Sequence, residues 1–387
     1  MASTTARRWG ALGPWDALRQ PLPLPRKLLI LGPQGLGDVI AVLPTLRLLQ
    51  RNVKVDISWM GNRAHQPLAA MMGVSDFIPL DADQTLAGFD ALLAYNDIHP
   101  AKAPGRLDLA TIPVRIGSAS GAELPHWCNH IVFTKRYGWP RHEAQRNLRM
   151  LIPFGITAND TLPAVEKWMN LRAPAVRMPV DLPQDSYVVL HPFSAGSARE
   201  WPIAHWVELA TRLAHQGRSV VLTGSPAESQ RLAQQWPAIS RPAGVFDAFG
   251  RLDLQQLSHL LQRAGAVVAA STGPLHVAAA LGTPTLGLFV PRKGLMLDRW
   301  APLGAQAVGV QAHRSCPGRR RCDAPSCACM YDLSPALIAS ALPATSGDSI
   351  QLQAIPPTCL LSKTQLNGIA SDTSGYAGST IPSHHEP

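Results

Sequence analysis

The chain has 387 residues, enough for two domains, and 46% of them are hydrophobic, ample for sizeable cores. Charged residues make up only 16% and the formal net charge is +9, which favours anionic partners: nucleotide phosphates, acidic glycolipids or an anionic membrane surface. Nucleic acid is disfavoured, since there is no recognition motif and only the arginines at 319–321 cluster.

Residues 1–25 lack the continuous apolar segment of a secretory signal and read as an irregular arm. RKLLILG (26–32) predicts a short strand, PQGLGD (33–38) a Gly-rich loop, and VIAVLPTLRLLQ (39–50) a helix with one apolar face. VKVDISWM (53–60), FIPL (77–80) and DALLAY (90–95) read as further strands, and HEAQRNLRMLIPFGI (142–156) as a helix. These make a first domain over 26–165. Residues 157–184 are Pro-rich and weakly patterned, and the linker is placed there, at 166–184.

A second domain, 185–344, opens with a strand and loop in YVVLHPFSAG (187–196). WPIAHWVELATRLAHQG (201–217) is an amphipathic helix with Gly217 as its stop signal. SVVLTGSPAE (219–228) reads as strand then turn, ESQRLAQQW as a helix, and LQQLSHLLQRAG (254–265) as another. The apolar stretch that follows is long enough to span a bilayer, but Gly and Pro interrupt it twice. It resolves into strand AVVAA (266–270), turn STGP, helix LHVAAALG (275–282) and strand TLGLFV (285–290). LSPALIASAL (333–342) is a last helix, and from 345 the chain loses periodicity and reads as a disordered tail. Alternating strands and helices predict α/β layers.

Cys316, Cys322, Cys327 and Cys329 crowd into CPGRRRCDAPSCAC, but no CxxC pair is followed by a second pair, so reduced surface thiols are expected rather than a metal site.

Four stretches carry chemical potential. In GLGD (35–38) the glycines allow a tight turn that delivers Asp38 to the mouth of a helix, either as an N-cap or as a general base at a strand's carboxyl end. In HPFSAGSAREWP (191–202), Ser194 has a small side chain and an accessible amide, and Arg199 has a guanidinium suited to a diphosphate or simply to solvent. In LTGSPAE (222–228), a strand ends in Thr223 and Gly224, and Glu228 either binds a ribose diol or complements a helix N-terminus. In STGPLH (271–276), Thr272 and Gly273 open a helix whose free amides attract an anion, with His276 one turn in.

Taken together, these stretches resemble the heptosyltransferase family, glycosyltransferase family 9, over about residues 26–343. The family's strand, S-x-G-D and helix opening appears as LGPQGLGDVIAVLPTLRLL, and its RxG and H-E-x-x-R-N-L as VRIGSAS (114–120) and HEAQRNLRML (142–151). Its K-x-WP appears as REWP (199–202) and its TG-x-P-x-E as LTGSPAE. GRLDLQQLSHLLQRA (250–264), STGPLHVAAALGTP and the closing CPGRRRCDAPSCACM complete the series in order.

The resemblance implies a GT-B type α/β fold, two Rossmann-like domains facing an interdomain cleft, with acceptor on the first and nucleotide-sugar on the second. It implies inverting, metal-independent transfer of a sugar, heptose from ADP-heptose, onto a lipopolysaccharide-type glycan, with no cofactor beyond the donor. Asp38 matches the base, and Arg199 stands for a Lys that contacts donor phosphate. Glu228 matches the ribose acid, and Ser194, Thr223, Gly224, Ser271, Thr272, Gly273 and His276 belong to the donor-side loops. The expected setting is cytoplasmic, with peripheral contact to the anionic inner membrane. Ser271 stands where the family usually has Asp, and Val290 where it usually has Gly. The departure at Val290 is expected to narrow the donor side. Three other readings are a family member using a different nucleotide-sugar donor, a catalytically weak binding protein on the same scaffold, and a Rossmann oxidoreductase, the last without a GxGxxG motif.

Overall fold

The computed structural model describes residues 7–9, 20–82, 86–95, 109–119, 127–134, 142–157, 159–179, 181–183, 185–292, 294–312, 328–344, 348–355 and 359–361. Two seven-stranded sheets organise it. The first is built from β1 (Arg7–Trp9), β2 (Lys27–Leu31), β3 (Asp56–Gly61), β4 (Asp76–Pro79), β5 (Ala91–Ala94), β6 (Val114–Ala119) and β7 (His130–Phe133). The second holds β8 (Tyr187–His191), β9 (Ser219–Leu222), β10 (Val245–Asp247), β11 (Ala266–Ala270), β12 (Thr285–Phe289), β13 (Ala307–Ala312) and β14 (Cys359–Leu361). Runs such as KLLIL, YVVLH and AVVAA are buried along almost their whole length, as expected for parallel strands covered on both faces.

The strand orders are β1-β7-β6-β5-β2-β3-β4 and β10-β9-β8-β11-β12-β13-β14. Six strands of each follow the doubly wound order, with the reversal between β2 and β5 in one sheet and between β8 and β11 in the other. All pairings are parallel except β13 with β14. Ligands in such sheets bind beyond the strand carboxyl ends at the reversal, so the loops after β2, β8 and β11 are the places to look.

The first half carries helices α1 (Leu36–Ile40), α2 (Leu43–Asn52), α3 (Gln66–Met71), α4 (Glu143–Leu148) and α5 (Leu162–Glu166). The second carries α6 (Ile203–His215), α7 (Pro226–Gln235), α8 (Leu254–Arg263), α9 (Gly273–Ala280), α10 (Leu297–Trp300) and α11 (Pro335–Ala341). On α6, Trp206, Leu209, Ala210 and Leu213 form the buried stripe, and Gly217 ends the segment at φ 75°, the left-handed stop its position predicts. One apolar core runs through both halves: Val39, Leu43 and Leu46 belong to the same cluster as Leu260, Val267 and Val277. The segment read as a linker lies along α8, where Ala173 N–H donates to Gln262 Oε1 (2.7 Å) and Gln256 Nε2 donates to Arg177 O (3.3 Å).

Several expectations change. The helix expected over 39–50 begins earlier and breaks into α1 and α2 around Ala41 and Val42. The helix expected over 142–156 tightens into a 3-10 segment, Arg149–Phe154, where Pro153 cannot donate a helical hydrogen bond. The arm read as irregular supplies β1, paired in parallel with His130–Val132. The stretch beyond 345 is not wholly without structure: β14 adds to the second sheet, and Ile350 and Ile355 are buried in its core. Cys329 is buried rather than a surface thiol, while Cys316, Cys322 and Cys327 lie outside the described residues. No helix among the described residues is long and apolar enough to cross a membrane.

Ile350→Ala and Ile355→Ala should each destabilise the fold by about 2 kcal/mol, the cost of removing buried aliphatic groups. Urea unfolding measures this, and unchanged midpoints in both variants would show that the segment is not part of the core.

Candidate functional site

The reversal points of the two sheets face one cavity of about 770 Å³. Asp38, Ser194, Thr223, Gly224, Glu228, Ser271, Thr272, Gly273 and His276 all line it, so nine of the ten predicted side chains or backbones meet in one place. Arg199 does not line it; it lines an adjoining cavity of about 750 Å³ that shares Ser194, Ala195, Ser197 and Glu228.

The two halves come together here by close backbone approach. A Cβ on Gly37 would sit 2.8 Å from His276 Cδ2, and one on Gly273 would sit 2.6 Å from Leu36 Cβ. Only glycine permits α1 and the start of α9 to lie this near. Asp38 is not an N-cap: Gly35 holds that position, and Asp38 stands within the first turn of α1. Its carboxylate stands at the edge of the cavity.

On the facing side, Thr272 caps α9 with no side-chain cap bond, and its buried Oγ1 finds no hydrogen-bond partner among the described residues. An N-terminus of this kind offers unused amide donors and a hydroxyl to an anion. His276 is buried, and burial foremost, with His142 second, lowers its pKa to about 3. It is a neutral imidazole at working pH and can offer a hydrogen bond rather than a charge.

The loop after β8 is shaped by Glu200. Ser194 N–H donates to Glu200 Oε1 (3.1 Å), and Arg231 grips the same carboxylate through both terminal nitrogens (3.0 and 2.6 Å). Arg231 also stacks over Phe193, 4.2 Å from the ring centre. Ala195 is held at φ 46°, a left-handed conformation that a side chain disfavours, and its N–H donates to Glu228 Oε1 (3.1 Å). Glu228 Oε2 accepts from Ser225 N–H and Oγ, both at 2.8 Å, closing a capping box on α7. The helix-terminus role of Glu228 is thus present; any ribose contact would use its remaining lone pairs. Thr223 Oγ1 lies 3.0 Å from His191 Nδ1, and burial lowers the His191 pKa to about 4.

Sequence reading missed Arg299 and Trp300, which line the cavity from α10, and Asp253, Leu254 and Leu257 at the start of α8. Asp253 was signalled by its capping box with Gln256, three residues on. Nothing local marked Arg299, whose partner Glu143 is 156 residues away. Val290 was expected to narrow the donor side, but it is buried in the second sheet's core and does not line the cavity. Among the described residues no group of three or more His, Cys, Asp or Glu is placed to hold a metal.

Two doubly wound sheets whose reversal points face one cleft constitute the GT-B architecture, the framework of a large class of nucleotide-sugar-dependent glycosyltransferases. The chain belongs to glycosyltransferase family 9 (heptosyltransferase), whose family model matches residues 129–326. Lipopolysaccharide heptosyltransferase 1 of Pseudomonas aeruginosa is 38% identical over 110 residues, 28% of this chain and 30% of that relative's length. Lipopolysaccharide heptosyltransferase 2 of Escherichia coli K12 is 26% identical over 294 residues, covering 68% of this chain and 83% of the relative. Among solved structures, E. coli ADP-heptose lps heptosyltransferase II superposes with a TM-score of 0.60 at 22% identity, over 80% of this chain and 95% of that one. E. coli heptosyltransferase WaaC with ADP gives a TM-score of 0.53 at 20% identity, covering 72% and 91%.

Burial of His142, His191 and His276 makes stability pH-dependent in a definite direction. All three pKa values are lowered, to about 4, about 4 and about 3, so below the ordinary value of 6.5 the unfolded chain binds protons that the folded chain refuses. Stability is full above pH 6.5 and falls as pH drops from there toward 4, each histidine adding a slope of up to about 1.4 kcal/mol per pH unit. Urea titrations at pH 7, 5.5 and 4.5 should show this fall, and His142→Gln should make it shallower; a flat profile would show that these rings are not held neutral.

Proposed function

We propose that the cleft carries out inverting, metal-independent transfer of a sugar from a nucleoside-diphosphate donor to a hydroxyl of a lipopolysaccharide-type glycan. The observation that carries this reading is the shared cavity: Asp38 from the first half and the open N-terminus of α9 from the second line the same space. The acceptor binds against the first half, and Asp38 takes its hydroxyl proton. The oxygen attacks the anomeric carbon from the face opposite the diphosphate, so the configuration inverts. The electron pair of the breaking C–O bond leaves with the diphosphate, whose charge is met by the amides and hydroxyl at Thr272 and Gly273. Arg199 reaches the donor from the adjoining cavity, and His276 contributes a neutral hydrogen bond. Glu228 serves the ribose while it caps α7.

An ADP-linked heptose is the donor favoured by the relatives' names, by the E. coli enzyme solved with ADP, and by the family. The open amides at the start of α9 and the guanidinium of Arg199 in the adjoining cavity support metal independence, since they can meet the leaving charge without a divalent ion. The net charge of +9 supports a cytoplasmic protein that meets an acidic glycolipid peripherally at the inner membrane.

Asp38→Asn should leave ADP affinity within about twofold, since the amide preserves shape, and lower turnover by about 10²–10⁴-fold, the usual contribution of a general base. Calorimetric titration with ADP and a transfer assay with ADP-heptose and a heptose-deficient lipopolysaccharide core measure the two effects. Near-normal turnover in this variant would reject Asp38 as the base.

A further inference from the structure

The cavity contains a cation that the mechanism above leaves unused. Among the described residues, Arg299 is the arginine or lysine that lines the cleft cavity itself. Its guanidinium carbon lies 5.0 Å from the centre of the Trp300 ring, and Trp300 is fixed by donating Nε1–H to Gly294 O at 2.9 Å. Arg299 Nε–H donates to Glu143 Oε2 at 2.9 Å, and the same oxygen accepts from Arg146 Nη1 at 3.2 Å. Glu143 lies on α4 of the first half and Arg299 on α10 of the second, so this ion pair crosses the domain boundary.

The guanidinium is therefore held on one edge by a carboxylate and on one face by an indole. Its two terminal NH₂ groups lie beyond that edge, and a pair of this kind matches two phosphate oxygens. Arg146, Glu143 and Asp38 together line a small cavity of about 20 Å³ on the first-half side of the cleft. A row of charges, Asp38, Arg146, Glu143 and Arg299, thus runs from the position of the attacking hydroxyl to the donor side.

Resting on the donor-cleft reading above, we propose that Arg299 contacts the leaving diphosphate and that Glu143 is a positioning residue that aims it from the acceptor half. During transfer the acceptor O–C bond forms, the C–O bond to the diphosphate breaks, and the acceptor proton passes to Asp38. Negative charge disappears at one end of the row and grows at the other, where a fixed guanidinium stabilises it. Glu143 is shared by Arg146 and Arg299, which leaves that triad with one net positive charge and fixes the direction of both arginines.

The test uses the full chain and two probes, ADP and inorganic pyrophosphate, titrated calorimetrically into the wild type, Arg299→Gln, Arg299→Lys, Glu143→Gln and the double variant Glu143→Gln/Arg299→Gln. Arg299→Gln should weaken both probes by about tenfold, the scale of one charge-assisted phosphate contact, with adenosine affinity unchanged. Arg299→Lys, which keeps the charge without the fork, should recover part of the loss and also serves should the glutamine variant fail to fold. Glu143→Gln should alter probe affinity in the wild-type background and change it by less than about twofold once Arg299 is gone, because the two act through one contact. Pyrophosphate binding by Arg299→Gln equal to wild type, or an effect of Glu143→Gln that is the same in both backgrounds, overturns the proposal alone. A wild type that binds neither probe overturns the donor-cleft reading as well.

Discussion

The close approach of α1 to the N-terminus of α9 is the contact on which the rest of the site depends. Gly37 lies against the His276 ring and Gly273 beneath Leu36, with no space for a Cβ at either place. Because neither residue has a side chain, the loop after β2 reaches across to the loop after β11. Asp38 then opens onto the same cavity as Thr272. The apolar groups around this contact, Val39, Leu43, Val277 and Leu260, belong to a single core cluster, so hydrophobic burial holds the two halves in register. Neutrality of His276 follows from the same contact, since a ring packed against Gly37 is shielded from the water that would stabilise its charged form.

Most of the carboxylates around the cavity hold structure. Glu228 and Asp253 each close a capping box, and Glu228 also holds Ala195 in its left-handed conformation. Both carboxylates hold helix-terminal amides in place. Glu200 is committed to Ser194 and Arg231. Asp38 lies within the first turn of α1, whose N-cap is Gly35. Under the proposed mechanism Asp38 is the carboxylate that gains and loses a proton in each turnover.

Much of this was legible in the sequence, and the reason lies in local physics. Strands buried on both faces must be apolar throughout, so KLLIL, YVVLH, AVVAA and TLGLF announced themselves. The STGP turn marked a helix start by its small residues and proline. What stayed hidden depends on distant partners. β6 contains Arg115, whose guanidinium is satisfied by the Ile112 and Trp127 carbonyls, so its strand does not read as apolar. β10 is three residues long and takes its register from Val220–Leu222. Val290 read as an obstacle to the donor because the sequence could not show that its side chain turns into the core. Arg199 read as a cleft residue because its loop does border the cleft, but Glu200 and Arg231 turn that loop so that the arginine itself opens onto the neighbouring cavity.

The way the halves are joined also bears on how the cleft works. Beyond the shared core, His142 Nε2–H donates to Ala301 O at 2.9 Å, Gly304 N–H donates to Glu166 Oε1 at 3.2 Å, and Leu171 N–H donates to Ala280 O at 2.7 Å. The His142 tautomer is fixed, because Nδ1 accepts from Ala144 N–H and leaves Nε2 to carry the proton. The first two of these bonds tie the segment that carries Arg299 and Trp300 to α4 and α5 of the first half. That wall of the cavity is therefore held in place by the first half. Dipoles and charges held in advance need no reorganisation, and under the proposed transfer that saving is what lets this wall stabilise the charge developing on a diphosphate.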